Sequence, residues 1–140
     1  MSLLMKLLNA PRGNNVVTDN DDSKVEYFPD VPKILHKLKK DGFLLGVASR
    51  TSCIEEAKEL IHLFKWDGYF DYVEIYPGTK TSHFNNFLAK SGVPYKDMLF
   101  FDDESRNITD VSQLGVTCIH TPDGMSLSLL QEGLAKFNKR

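Results

Sequence analysis

The sequence predicts an α/β fold: a three-layer sandwich with a parallel sheet between two layers of helices. Three observations carry that prediction. From Tyr27 onward, short apolar runs alternate with stretches of helical periodicity, the pattern of strands joined by crossover helices. One run, Met98-Leu-Phe-Phe101, is apolar at every position and leads straight into Asp102 and Asp103, as a strand buried on both faces of a sheet does. At 140 residues, 41% hydrophobic and 26% charged, the chain has the composition of a single globular domain with room for a core.

The elements follow in order. Met1 to Leu8 is apolar but short, and one lysine with no small-residue cleavage site makes it a poor signal peptide. Residues 9–26 are polar and turn-rich, which suits a loop or an exposed hairpin. The chain therefore divides into an irregular or substitute N-terminal segment, 1–26, and an α/β domain, 27–140.

Asp30 is placed to cap a helix that has Pro32 in its first turn, Val31, Ile34, Leu35 and Leu38 on one face, and Asp41-Gly42 as its stop. Phe43 to Ala48 reads as a buried strand ending at Ser49-Arg50. Ser52 and Glu55 form a capping box for a helix with Ile54, Ala57, Ile61 and Phe64 inward. Tyr72 to Tyr76 is the next strand, broken by Pro77-Gly78, and a helix carrying Phe84, Phe87 and Leu88 follows Thr79-Lys80. Beyond the strand at Met98 come a helix near Ile108 to Leu114, a strand from Val116 to His120, and a last helix around Ser126 to Phe137. No internal repeat is present.

Composition removes several function classes. A net charge of −2 gives no electrostatic reason to expect nucleic acid or an anionic membrane as partner, and no apolar stretch approaches the length of a membrane span. The two cysteines, Cys53 and Cys118, lie far apart without CxxC spacing, and Cys118 falls in an apolar run. They point to a reducing, cytoplasmic setting. A monomer is expected.

In open α/β sheets, ligands bind beyond the carboxyl ends of the strands. Three consecutive strand ends here carry polar groups: Ser49-Arg50, then Thr79-Lys80 after the Pro-Gly turn, then Asp102-Asp103. Adjacent carboxylates suit a hard cation such as Mg²⁺. A hydroxyl, an ammonium and a carboxylate-held Mg²⁺ are together what a phosphoryl group needs, because the cations neutralise its oxygens and the hydroxyl orients them. Taken singly each has a plainer reading: Ser49 an N-cap, Lys80 a solvated lysine, the acidic pair a helix cap. Of the histidines, His36 and His62 fall on helices. His83, three residues past Lys80, is a candidate substrate contact, and His120 ends a strand at the same edge. None is assigned a metal.

These motifs resemble those of the haloacid dehalogenase superfamily. Local stretches are similar to the magnesium-dependent phosphatase-1 family: Val47-Ala-Ser-Arg-Thr-Ser52, Ile75-Tyr-Pro-Gly-Thr-Lys-Thr-Ser-His-Phe84, Phe100-Phe-Asp-Asp-Glu-Ser-Arg-Asn107 and Leu114-Gly-Val-Thr-Cys-Ile-His120. The resemblance spans roughly residues 27–137. It implies a Rossmann-like sheet of that superfamily, Ser49 and Arg50 at the substrate phosphate, and Lys80 as the catalytic lysine holding phosphate against the nucleophile. It also implies Mg²⁺ at Asp102 and Asp103, with Asp103 the first choice of ligand. The order Ser, Lys, Asp-Asp disfavours a response-regulator receiver, where the acidic pair comes first and the lysine last.

One part of the family's pattern is not found. The superfamily's first motif is an apolar strand ending Asp-x-Asp-x-Thr/Val, which supplies the nucleophile and the general acid/base. Leu3 to Leu8 could be the strand, but Asn9-Ala-Pro-Arg-Gly follows without a carboxylate. Asp19 and Asp21 have the letter pattern but follow only Val16-Val17, and they read better as a solvated acidic loop. Residues 11–26 suit the family's variable hairpin. Leu3 to Leu8 is expected to fill the central slot of the sheet, because leaving five buried side chains out of it forfeits roughly 8–15 kcal/mol.

Two functions follow: a Mg²⁺-dependent phosphatase by descent, inactive without the first motif, or a pseudo-enzyme that binds phosphate or a partner. With no long insertion between motifs there is no large cap domain. An open site admits a phosphorylated protein side chain or a phosphorylated sugar adduct.

Overall fold

The computed structural model describes residues 3–5, 15–18, 24–27, 31–63, 65–66 and 68–139. In chain order the elements are β1 (Leu3–Met5), β2 (Asn15–Thr18), β3 (Lys24–Tyr27), α1 (Val31–Lys40), β4 (Leu44–Ser49), α2 (Ile54–Leu63), β5 (Tyr72–Ile75), α3 (Lys80–Ser91), β6 (Met98–Asp102), α4 (Ser105–Ser112), β7 (Thr117–His120) and α5 (Leu127–Asn138), with a 3₁₀ turn at Tyr95–Asp97. Five strands form one sheet in the order β5-β4-β1-β6-β7, and β2 and β3 pair separately as an antiparallel hairpin.

Every pairing in the large sheet is parallel. The central strand is β1: Leu3, Leu4 and Met5 pair with Leu44, Leu45 and Gly46 on one side and with Met98, Leu99 and Phe100 on the other. The apolar start of the chain thus takes the middle of the sheet as expected, over Leu3–Met5; Lys6 to Leu8 lie outside the described residues. The polar segment after it supplies the hairpin, with Val17 opposite Val25.

From β1 the chain winds outward to β4 and β5, then returns across the sheet to β6 and continues to β7. The winding direction reverses between β1 and β6, and such a reversal opens a crevice at the carboxyl ends of the strands.

Two cores lie on the two faces of the sheet. One gathers Ile34, Leu35 and Leu38 of α1, Leu45 and Val47 of β4, Leu99 and Phe101 of β6, and Leu130 and Phe137 of α5. The other gathers Phe84 and Phe87 of α3, Val111 of α4, and Ala48, Met98, Phe100 and Cys118 from the strands. All five residues of β6 are buried, with Met98 and Phe100 on the face opposite Leu99 and Phe101, as the period of 2 requires.

The turns match their residues. Gly42, Gly92 and Gly115 have positive φ (87°, 72° and 102°), and Gly92 closes α3 with its N–H on the Leu88 carbonyl. Ser126 caps α5 by accepting the Leu129 N–H at 3.2 Å.

Some expectations shift. At the start of α2 the hydroxyl that meets an N–H is that of Thr51, on Cys53 N at 3.0 Å, rather than a capping box begun at Ser52. α4 starts at Ser105, three residues before the expected Ile108, because its inward stripe is Asn107 and Val111 rather than the more conspicuous apolar residues that follow. Leu88 is 36% exposed: the buried stripe of α3 is Lys80, His83, Phe84 and Phe87, and it passes Leu88 by. Asp30 and Phe64 lie outside the described residues.

Candidate active site

The polar ends of β4 and β6 meet through α3. Lys80 opens that helix and is 1% exposed; helix periodicity sets it in line with His83, Phe84 and Phe87. The Lys80 ammonium donates to the Ala48 carbonyl at 2.9 Å and to Asp102 Oδ2 at 3.1 Å. It also lies 5.4 Å from the centroid of the Phe100 ring. One cation therefore links the two strands that flank β1, at the carboxyl edge of the sheet.

Asp102 is wholly buried. Two residues on from Phe100, it faces the same layer as Phe100, which contains α3 and α4. Its Oδ2 also accepts the Asn107 amide N–H at 2.8 Å, and its Oδ1 accepts the Glu104 backbone N–H at 3.3 Å. Asp103 is half-buried, and its carbonyl oxygen receives His120 Nε2 at 2.8 Å.

At the end of β4, Ser49 Oγ accepts the Thr51 N–H at 3.3 Å, which leaves its own hydrogen to donate. Arg50 turns across the edge: Nε donates to the Gly78 carbonyl at 2.9 Å, and the guanidinium meets Glu104 at 3.3 Å. It ties together the loops after β4, β5 and β6. Two of its five donors serve these contacts. His83 is turned inward onto the Thr79, Ser49 and Tyr76 carbonyls. At 0% exposure it is closed to a substrate, contrary to the expected contact.

Ser49, Arg50, Lys80, Asp102 and Asp103 thus share one edge. Two residues not singled out from the sequence join them. Asn107 is the second anchor of the Asp102 carboxylate, and its signal was an amide in the first turn of α4 on the inward stripe with Val111. Glu104 holds Arg50 and had no signal beyond its place in an acidic turn. Asp19 and Asp21 lie outside the described residues.

Donors for a hard cation are present in kind. Asp102 and Asp103 supply carboxylates, and Asn107 Oδ1, on the amide bonded to Asp102, is buried with no hydrogen-bond partner. Among the described residues no cluster of three or more His, Cys, Asp or Glu could hold a metal. A six-coordinate Mg²⁺ here would complete its shell with water and ligand oxygens, as Mg²⁺ commonly does. The residues fit the ion on those terms.

Among the described residues no helix is long and apolar enough to cross a membrane.

Residues 4–140 match the model of the acid phosphatase family. The chain is 48% identical over 126 residues to human magnesium-dependent phosphatase 1, covering 90% of this chain and 72% of the human protein. It is 37% identical over 124 residues to a HAD-like hydrolase superfamily protein of Schizosaccharomyces pombe, covering 82% of this chain and 72% of that protein. A Bacteroides thetaiotaomicron HAD family enzyme, an Asp-to-Ala variant solved with magnesium and inorganic phosphate, shares the fold at a TM-score of 0.63 and 20% identity, over 76% of this chain and 60% of that one. The family match along nearly the whole chain, the close human relative and the parallel sheet with its polar carboxyl edge agree: the chain belongs to the magnesium-dependent phosphatase family of the haloacid dehalogenase superfamily.

Proposed function

We propose that this chain binds a phosphoryl group together with Mg²⁺ at the Lys80–Asp102 edge and does not hydrolyse it. One observation carries the second half. The central strand is Leu3–Met5, and no Asp or Glu occurs in the sequence before Asp19. The superfamily's nucleophile and acid/base follow that strand directly, so the residues that come next here, Lys6-Leu7-Leu8-Asn9, supply neither.

The phosphate-holding parts remain. Lys80, fixed by the Ala48 carbonyl and Asp102, offers a positioned ammonium. Ser49 offers its hydroxyl hydrogen, and Arg50 the rest of its fork. Asp103 and Asp102 would hold Mg²⁺, which when bound neutralises charge on phosphoryl oxygens. The ligand class is a phosphorylated protein side chain or a phosphorylated sugar adduct, met by a cytoplasmic monomer without nucleic acid or membrane. Free thiols at Cys53 and Cys118 support the reducing compartment.

Calorimetric titration with inorganic phosphate tests this reading. Binding that needs Mg²⁺, with p-nitrophenyl phosphate turned over only at background, is the expected result. Mg²⁺-dependent turnover that disappears in Asp19→Asn would reverse it and give catalysis to the acidic cluster after β2.

A further inference from the structure

Two ion pairs stand at the carboxyl edge, and they differ in kind. Lys80 and Asp102 are buried, at 2% and 0% side-chain exposure. Arg50 and Glu104 are open, at 27% and 57%. Each of the two cations already has a carboxylate against it, so a phosphate dianion gains a full cation only where a pair gives way. Parting Lys80 from Asp102 leaves a charge away from water, which is strongly unfavourable. An exposed pair contributes little, so parting Arg50 from Glu104 costs little.

The open contact is also poorly made. Arg50 Nη1 meets Glu104 Oε2 through one pair of atoms at 3.3 Å, whereas good charge-assisted bonds to a carboxylate run at about 2.7–2.9 Å and are often bidentate. The Arg50 Nε–H is bound separately, to the Gly78 carbonyl at 2.9 Å. The guanidinium can turn about that bond, changing the partner of its outer nitrogens without leaving the edge. Glu104 itself is the N-cap of α4, but its side chain makes no capping hydrogen bond, and glutamate is not among the residues that cap helices well. Its backbone N–H is held by Asp102 Oδ1 at 3.3 Å, which fixes the residue at the edge while its carboxylate serves Arg50.

We propose that Glu104 is an affinity-setting residue, a built-in competitor of the phosphoryl ligand for Arg50. The ligand displaces the carboxylate, and Arg50 turns from one long contact to a pair of phosphate oxygens, which its planar fork matches bidentately. The inference rests on the phosphate-binding function proposed above and goes beyond it. That function gives the ligand only the donors left over by Gly78 and Glu104; here the donor on Glu104 changes partner as well.

The experiment is a calorimetric titration of inorganic phosphate, in excess Mg²⁺, into wild type, Glu104→Gln, Arg50→Gln and the double variant, each shown folded by circular dichroism. Glu104→Gln keeps the shape and removes the charge. At so exposed a position its urea midpoint should stay that of wild type, while its dissociation constant should fall roughly threefold, within the range an exposed ion pair supplies. Arg50→Gln should bind more weakly, and adding Glu104→Gln to it should gain nothing, because the competitor has lost what it holds. An unchanged or weaker affinity in Glu104→Gln would overturn the proposal and make Glu104 a support for Arg50. An equal gain with and without Arg50 would overturn it too, since the carboxylate would then act only by repelling the anion. In both cases wild type still binds phosphate and the site stands. If neither wild type nor Glu104→Gln binds phosphate, the site itself is refuted, and the exchange with it.

Discussion

Lys80 reaches Asp102 across the end of the strand between them: its ammonium donates to the Ala48 carbonyl of β4 at 2.9 Å and to Oδ2 of Asp102 on β6 at 3.1 Å. Both side chains are almost wholly buried, at 2% and 0% exposure. Removing one partner of such a pair strands a charge away from water and costs about 3–5 kcal/mol. Lys80→Met should therefore lower stability in urea unfolding by that amount and abolish phosphate binding. Lys80→Met/Asp102→Asn, which removes the stranded charge, should regain stability but not phosphate binding. A double variant as unstable as the single one would show that the loss comes from packing.

Gly133 is where α5 comes closest to the sheet. A Cβ there would lie 2.5 and 2.7 Å from ring carbons of Phe101 and 3.2 Å from Ile119 Cγ1. In an open helix Gly→Ala gains about 1 kcal/mol, but overpacking a core costs roughly 1–3 kcal/mol. The clash wins because Phe101 is buried and cannot swing aside. Gly133→Ala should lower the melting temperature, and its penalty should shrink in a Phe101→Leu background. A Gly133→Ala protein more stable than wild type would mean that α5 can lift without loss.

The two thiols should differ sharply. Burial pushes the Cys118 thiol up to about 12, with Lys136 opposing and Asp102 adding to the shift, whereas Cys53 is exposed. Iodoacetamide at pH 8 should label Cys53 and reach Cys118 only on unfolding. The proton is held more tightly in the folded state, so the contribution is full below the ordinary value of 9.0 and is lost as pH rises towards about 12. Tyr76 and Tyr95, both raised mainly by burial, act in the same direction. Urea midpoints should fall through this alkaline range, and less steeply in Cys118→Val.

Much of this fold was legible because its strands are uniformly apolar and its turns are marked. β6 is buried at every position, and Gly42 and Gly92 stop helices at positive φ. The shared edge was legible for the same reason: Ser49, Lys80 and Asp102 each stand where an apolar run or a turn ends. The harder part was polar residues lying on apolar stripes. A reading that sought only hydrophobic residues on α3 chose Phe84, Phe87 and Leu88; the two phenylalanines are buried, but the rest of the inward stripe is Lys80 and His83 rather than Leu88. Asn107 was hidden in α4 in the same way. Arg50's partners, Gly78 and Glu104, depend on loops brought together by the sheet, a long-range relationship that local periodicity does not encode.

Because β1 pairs with a strand on each side, it holds β4 and β6 in register. Without it the two flanking strands have no partner between them, and Lys80 has no fixed gap to bridge. Deleting residues 1–9 should abolish cooperative thermal unfolding or lower the melting temperature sharply, since domains have only about 5–15 kcal/mol to lose. An unchanged melting curve would show that Leu3–Met5 is dispensable to the sheet.

The chemistry itself can be tested by putting back what the sequence lacks. Losing a covalent nucleophile is not a graded defect: in a serine protease it costs on the order of 10⁶ in rate. Phosphate monoesters are among the slowest uncatalysed substrates, needing accelerations up to about 10²¹. The chain should accordingly leave p-nitrophenyl phosphate at background even with excess Mg²⁺. Replacing residues 1–9 with an apolar strand ending Asp-x-Asp-x-Thr puts two carboxylates directly after the strand that lies between Ala48 and Asp102, where Lys80 already stands. Mg²⁺-dependent turnover should appear in that protein, disappear when the first new Asp is changed to Asn, and disappear again in Lys80→Ala. A folded graft that binds phosphate with Mg²⁺ yet turns nothing over would show that the edge holds a phosphoryl group in a geometry unsuited to in-line attack.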